Sequence, residues 1–113
     1  MARSGFLKLQ LKTVRALQRV YLPFIRDGGL FVPSLREFKL GEQLLILLQL
    51  PDRSDSEPVA GRVVWLRPAV GSTQSAAARP GIGVQLSRLD GGALHRRIEQ
   101  LLREAQLTPS YRI

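Results

Sequence analysis

Leu7, Leu9 and Leu11 alternate with Lys8, Gln10 and Lys12, the twofold period of a strand with one buried face, predicted over 6–12. The period then changes. Thr13 is placed to cap a short helix over 14–20, with Val14, Leu17 and Tyr21 along one side. A short strand is predicted over 30–34, ended by Pro33. Gly28 and Gly29 just before it read as a tight turn, because glycine accepts a positive φ without a Cβ clash. Gly41 precedes a strand over 42–50 that is apolar on both faces along 44–48. Such a strand must be covered by the C-terminal helix or by a partner. The polar loop 51–58 leads into its hairpin partner over 59–67, with Val59, Gly61, Val63 and Trp65 on one face. The Ser/Ala/Gln-rich stretch 71–80 reads as mobile, and 81–86 as a further strand.

The end of the chain is helical. Asp90 caps a helix in which Leu94, Ile98, Leu101, Leu102 and Ala105 follow the i, i+4, i+7, i+8, i+11 spacing of one face. Glu99 and Arg103 form an i, i+4 pair on its exposed side. Residues 1–107 are read as a single domain and 108–113, broken by Pro109, as a flexible tail. Five or six short strands followed by one amphipathic helix predict a mainly β fold. The architecture expected is a small β-barrel with the helix laid across it.

Composition narrows the function classes. A chain of 113 residues makes one domain, able to bury roughly 65% of its unfolded surface. It has no cysteine, which excludes disulfide and thiolate chemistry and favours a cytoplasmic setting. The first twelve residues lack the apolar core of a signal peptide or anchor, and 44–48 is too short to span a bilayer. No membrane insertion is expected.

The net charge is +8 and lopsided: residues 1–40 carry eight basic against two acidic side chains (+6), residues 41–113 nine against seven (+2). That field could attract nucleic acid, an anionic membrane or an acidic protein surface. Scattered basic residues and few aromatics, at 6%, speak against a nucleic-acid-binding barrel, which interleaves both on one sheet face. Catalysis finds no support either. The single histidine, His95, is predicted to face solvent on the helix, and neither an acid pair, a metal-ligand spacing nor a phosphate-cradling loop occurs. No enzyme activity, cofactor or metal is expected.

Four stretches taken in order carry a family likeness: Gly28-Gly29-Leu30-Phe31-Val32, then Gly41-Glu42 opening an apolar strand, then Val59-Ala60-Gly61-Arg62-Val63-Val64-Trp65, then Gly81-Ile82-Gly83-Val84-Gln85-Leu86. Their order and spacing resemble the PilZ domain over roughly residues 5–105. The resemblance implies a six-stranded PilZ-type β-barrel with a C-terminal amphipathic helix. Most PilZ domains bind cyclic di-GMP through RxxxR and (D/N)xSxxG motifs, whose arginines stack on guanine and grip phosphate. Aligning the final glycine of the second motif on Gly29 puts Phe24 where Asp or Asn is expected, and Arg26 where Ser is expected. Arg15 to Arg19 spells RxxxR, but follows the first strand instead of preceding it.

These departures resemble the stand-alone, non-binding branch of the family needed for type IV pilus assembly and twitching motility. The resemblance then implies a monomeric adaptor for the pilus-extension ATPase and for a degenerate GGDEF–EAL regulator that itself senses cyclic di-GMP. Direct cyclic di-GMP binding is the alternative, and nucleic-acid binding the third reading. A protein adaptor needs exposed aromatic or apolar anchors. The candidates are Tyr21, Leu22, Pro23, Phe24 and Phe31, with Tyr111 of the tail; Tyr21 and Phe24 could instead plug the barrel end.

Overall fold

The computed structural model describes residues 5–68 and 79–107. The predicted mobile stretch lies mostly outside these residues, and the tail with Tyr111 lies wholly outside them. Strand β1 (Gly5–Gln10) runs into helix α1 (Val14–Val20), then β2 (Tyr21–Leu22), β3 (Gly29–Pro33), β4 (Gln43–Gln49), β5 (Glu57–Arg67), β6 (Gly81–Leu86) and helix α2 (Ala93–Leu107). The fold is mainly β.

The six strands form one mixed sheet in the order β1-β4-β5-β6-β3-β2. Among the described strands, β1 with β4 is the only parallel pair. Hydrogen bonding does not join β1 to β2, so the barrel expected from the sequence remains open along that seam. Helix α1 is the covalent link between those two edge strands.

Local chemistry explains both helices. The Thr13 hydroxyl accepts from the Ala16 amide at 3.0 Å, the predicted cap of α1. Leu17, with no exposed surface, turns into the core, and the chain leaves the helix at Tyr21 in an extended conformation. Ahead of α2, the two carboxylate oxygens of Asp90 accept from Gly92 and Leu94 at 2.8 and 2.9 Å. Those bonds, the one from Leu94 first, hold the Asp90 carboxyl below its ordinary range. Asp90→Ala is expected to lower stability by about 1 kcal/mol. Because the folded-state acid is depressed, this contribution stands at neutral pH and is lost as pH falls through the folded-state value. Denaturation at pH 7 and again in strong acid would check it: an undiminished difference in acid argues against the carboxylate cap.

One face of the sheet makes the core. Leu30, Val84 and Val63 occupy one register row with Tyr21 at its end, and Val32, Ile46 and Leu48 lie buried in the same cluster. Leu94 and Ile98 of α2 join that cluster, so the helix seats on this face. At its far side Arg97 reaches Asp52 at 3.5 Å and Glu57 at 3.8 Å, fastening α2 to the β4–β5 hairpin. The expected helical pair of Glu99 with Arg103 is replaced: Glu99 turns to Tyr21 and His95 instead.

The 44–48 run divides as a strand must. Leu44, Ile46 and Leu48 are buried, whereas Leu45 on the opposite face stays 44% exposed. Strand β5 departs from its predicted pattern. Val63 pairs with Val84 but Trp65 pairs with Gly83, so a bulge at Val64 inserts one residue. Val63 therefore faces the core while Trp65 crosses to the outer face.

Candidate functional site

That crossing assembles an aromatic patch. Phe31 and Trp65 both pair with Gly83 from opposite sides, which puts the two rings on the outer face with centroids 5.9 Å apart. The Arg67 guanidinium lies over both, 4.8 Å from the Phe31 centroid and 5.0 Å from that of Trp65. The two glycines of β6 make room for the rings. A Cβ on Gly83 would sit 2.9 Å from Trp65 and 3.3 Å from Leu22; one on Gly81 would sit 2.5 Å from Phe31 and from the Val32 carbonyl. Leu22 belongs to this outer face, because its register partner is Gly29 rather than Leu30.

Beside the patch, residues 23–28 join β2 to β3. Leu22 and Ile25 carbonyls accept from Ile25 and Gly28 amides at 3.2 and 2.9 Å, two consecutive turns. Asp27 and Gly28 carry the positive φ values, 67° and 85°. Gly29 does not; it is needed because the Ile25 side chain lies where its Cβ would be, at 2.5 Å. The turn is tied to β6 through the Gln85 amide on the Arg26 carbonyl at 3.0 Å and the Leu86 amide on the Gly28 carbonyl at 3.0 Å. Phe24, at its tip, is 74% exposed.

Tyr21 goes the other way. Its ring packs on the core, and its hydroxyl donates to Glu99 and lies 3.2 Å from His95 Nε2. Burial, and then the hydrogen bond and charge of Glu99, push the phenol pKa well up. His95 corrects the sequence reading of a solvent-facing side chain: it is half-buried, stacked where a Cβ on Gly28 would come within 2.7 Å. The structure thus brings Leu22 and Phe31 onto one patch, leaves Pro23 and Phe24 exposed on the adjoining turn, and withdraws Tyr21 inward. Sequence reasoning missed Trp65 and Arg67, because the bulge that redirects them has no glycine or proline to mark it.

Among the described residues, no three His, Asp or Glu side chains converge as metal ligands, and no helix is long and apolar enough to cross a membrane. Comparison with known families matches residues 6–104 to the PilZ domain. The chain belongs to the PilZ domain family. No curated protein matches it. PilZ domains are non-catalytic modules with cyclic-di-GMP-related or adaptor roles, and this one falls within that class. Its six strands and C-terminal helix are the arrangement anticipated from sequence, with the expected barrel left open between β1 and β2.

In this PilZ domain the degenerate motif positions have distinct fates. Phe24 and Arg26 point outward from the turn, while Gly29 is sealed beneath Ile25. Arg15 and Arg19 lie on the exposed side of α1.

Proposed function

We propose that this PilZ domain is a non-enzymatic adaptor that binds proteins through its outer aromatic face and the 23–28 turn. Its partners are the pilus-extension ATPase and a degenerate GGDEF–EAL regulator, in type IV pilus assembly and twitching motility in the cytoplasm. The observation that carries this reading is Phe24: the position where the nucleotide-binding pattern wants a polar side chain holds a phenylalanine that is 74% exposed. A solvent-facing aromatic, next to a Phe–Trp–Arg cluster, has the composition of an interface anchor. Ile25 over Gly29 supports the same reading, because an apolar side chain fills the space above the motif glycine.

Phe24→Ser is expected to weaken binding to the ATPase at least about tenfold, the effect of losing one anchor. Its thermal unfolding should stay within about 0.5 kcal/mol of the parent, as for other exposed sites. Titration calorimetry of the parent with cyclic di-GMP should give no binding heat. Micromolar binding that disappears in Arg15→Ala or Arg19→Ala would replace the adaptor reading with a direct nucleotide receptor.

A further inference from the structure

A second surface stands on the other half of the outer face. Leu45 and Phe6 are register partners on β4 and β1, and they remain 44% and 55% exposed. Ala60 continues that row on β5, small enough to leave a hollow. The hollow is a groove of about 370 Å³ whose lining includes Leu45, Ala60, Arg62, Gln85, Arg88 and Leu89. Leu89 stands in its wall, 93% exposed, on the connection between β6 and α2. Leu45 and Leu89 thus give the groove exposed apolar walls, and Phe6, the register partner of Leu45, adds an exposed ring beside it.

The groove is cationic as well. Arg62 reaches only the neutral Gln85 side chain, at 3.1 Å, and among the described residues it makes no ion pair. Arg88 meets Asp27 at 3.2 Å, and Asp27 is the one carboxylate among the lining residues. On the outer face of β1, β4, β5 and β6, register places Lys8, Arg62 and Arg67 and no acidic side chain. An occupant must therefore bring apolar side chains together with carboxylates.

Its conformation follows from the floor. Strands β4, β5 and β6 are each paired on both sides, so the groove offers no free main chain for strand addition. What it offers is a concave row of side chains, suited to one face of a helix. We infer that this groove is a docking site for an acidic amphipathic helix of a protein partner, seated on Leu45 and Leu89, with Phe6 beside Leu45, and with its carboxylates against Arg62 and Arg88. A second copy of this chain is the wrong occupant, because each copy carries a net charge of +8. A flat anionic bilayer does not fill a groove walled by Leu89. The groove adjoins the 23–28 turn through Asp27, but Leu45, Ala60, Arg62 and Leu89 lie outside that turn.

The test uses a labelled synthetic helix of about 18 residues, with leucines at i, i+3, i+4 and i+7 and glutamates elsewhere, and a twin with lysines for the glutamates. Fluorescence anisotropy should show the full-length protein binding the glutamate helix at least about tenfold tighter than its lysine twin. Leu89→Ser and Leu45→Asn should each weaken that binding several-fold, and Arg62→Glu with Arg88→Glu should invert the preference. Phe24→Ser should change nothing, and amide shifts on titration should centre on 43–45, 60–62 and 85–89. Since every substituted side chain is exposed, unchanged thermal unfolding will certify the variants. Equal affinity for the two helices would overturn the proposal, as would shifts confined to residues 21–31. So would binding only to phosphatidylserine vesicles, or concentration-dependent dimerisation abolished by Leu89→Ser.

Discussion

Ile98→Ala is expected to lower stability by about 2–5 kcal/mol, the cost of removing a fully buried aliphatic side chain and leaving part of its volume empty. Ile98 has no exposed surface, and with Leu94 it is the residue that brings α2 into the core cluster of the sheet. The loss reaches further than one cavity. Helix α2 also carries Glu99 and His95 to Tyr21, and Arg97 to Asp52 and Glu57. Loosening the helix weakens those links together, so local opening of α2 should precede global unfolding. Urea denaturation would show a lower midpoint, and hydrogen exchange would show α2 amides losing protection before those of β5 and β6. Leu89→Ala serves as the control, since a side chain 93% exposed should cost less than about 0.5 kcal/mol. A midpoint for Ile98→Ala indistinguishable from the parent would mean that α2 is not seated on the sheet in solution.

How much of this was legible in the sequence depended on whether a signal was local. The Thr13 cap, the 14–20 helix, the strands at 81–86 and along 44–48, and the apolar stripe of α2 each announce themselves within a dozen residues. Each is found as read. The family order of those strands was legible too, since the spacing of short motifs survives where individual side chains change. Facing was harder. Alternation put Trp65 on the same face as Val63, and a single bulged residue at Val64 separated them. Glycine was read as conformational freedom at 28 and 29. Only Gly28 uses that freedom, whereas Gly29, Gly81 and Gly83 are small because Ile25, Phe31 and Trp65 lie against them. Contacts between distant residues were invisible: nothing local links Tyr21 to Glu99, 78 positions away. Of the residues proposed from sequence, Leu22, Phe31, Pro23 and Phe24 lie on or beside the outer aromatic patch, Tyr21 turns inward, and Trp65 and Arg67 join the patch unread.

Tyr21→Ala carries the second large effect, and it separates two roles that the sequence merged. Removing the ring takes away packing against the core at the edge of the sheet, and removing the hydroxyl takes from Glu99 and His95 the partner they share, leaving them only each other and solvent. The expected loss is about 2–3 kcal/mol, below that of a fully buried aromatic because Tyr21 is only half-buried. Tyr21→Phe keeps the ring and should cost about 1 kcal/mol, the worth of the hydrogen bond alone. Consequences for binding follow from the connection to the turn. His95, which Tyr21 holds, stacks against Gly28, so losing Tyr21 frees one side of the turn that displays Phe24. A Tyr21→Ala protein that fails to bind a partner would therefore report a disordered turn and not a missing contact. Thermal unfolding of Tyr21→Ala and Tyr21→Phe beside partner binding resolves this. Intact binding by Tyr21→Phe, with lost binding and a lowered midpoint in Tyr21→Ala, places Tyr21 behind the docking surface. An unchanged midpoint in Tyr21→Ala would instead make Tyr21 itself a contact residue, and would remove the strut assigned to it with Glu99 and His95.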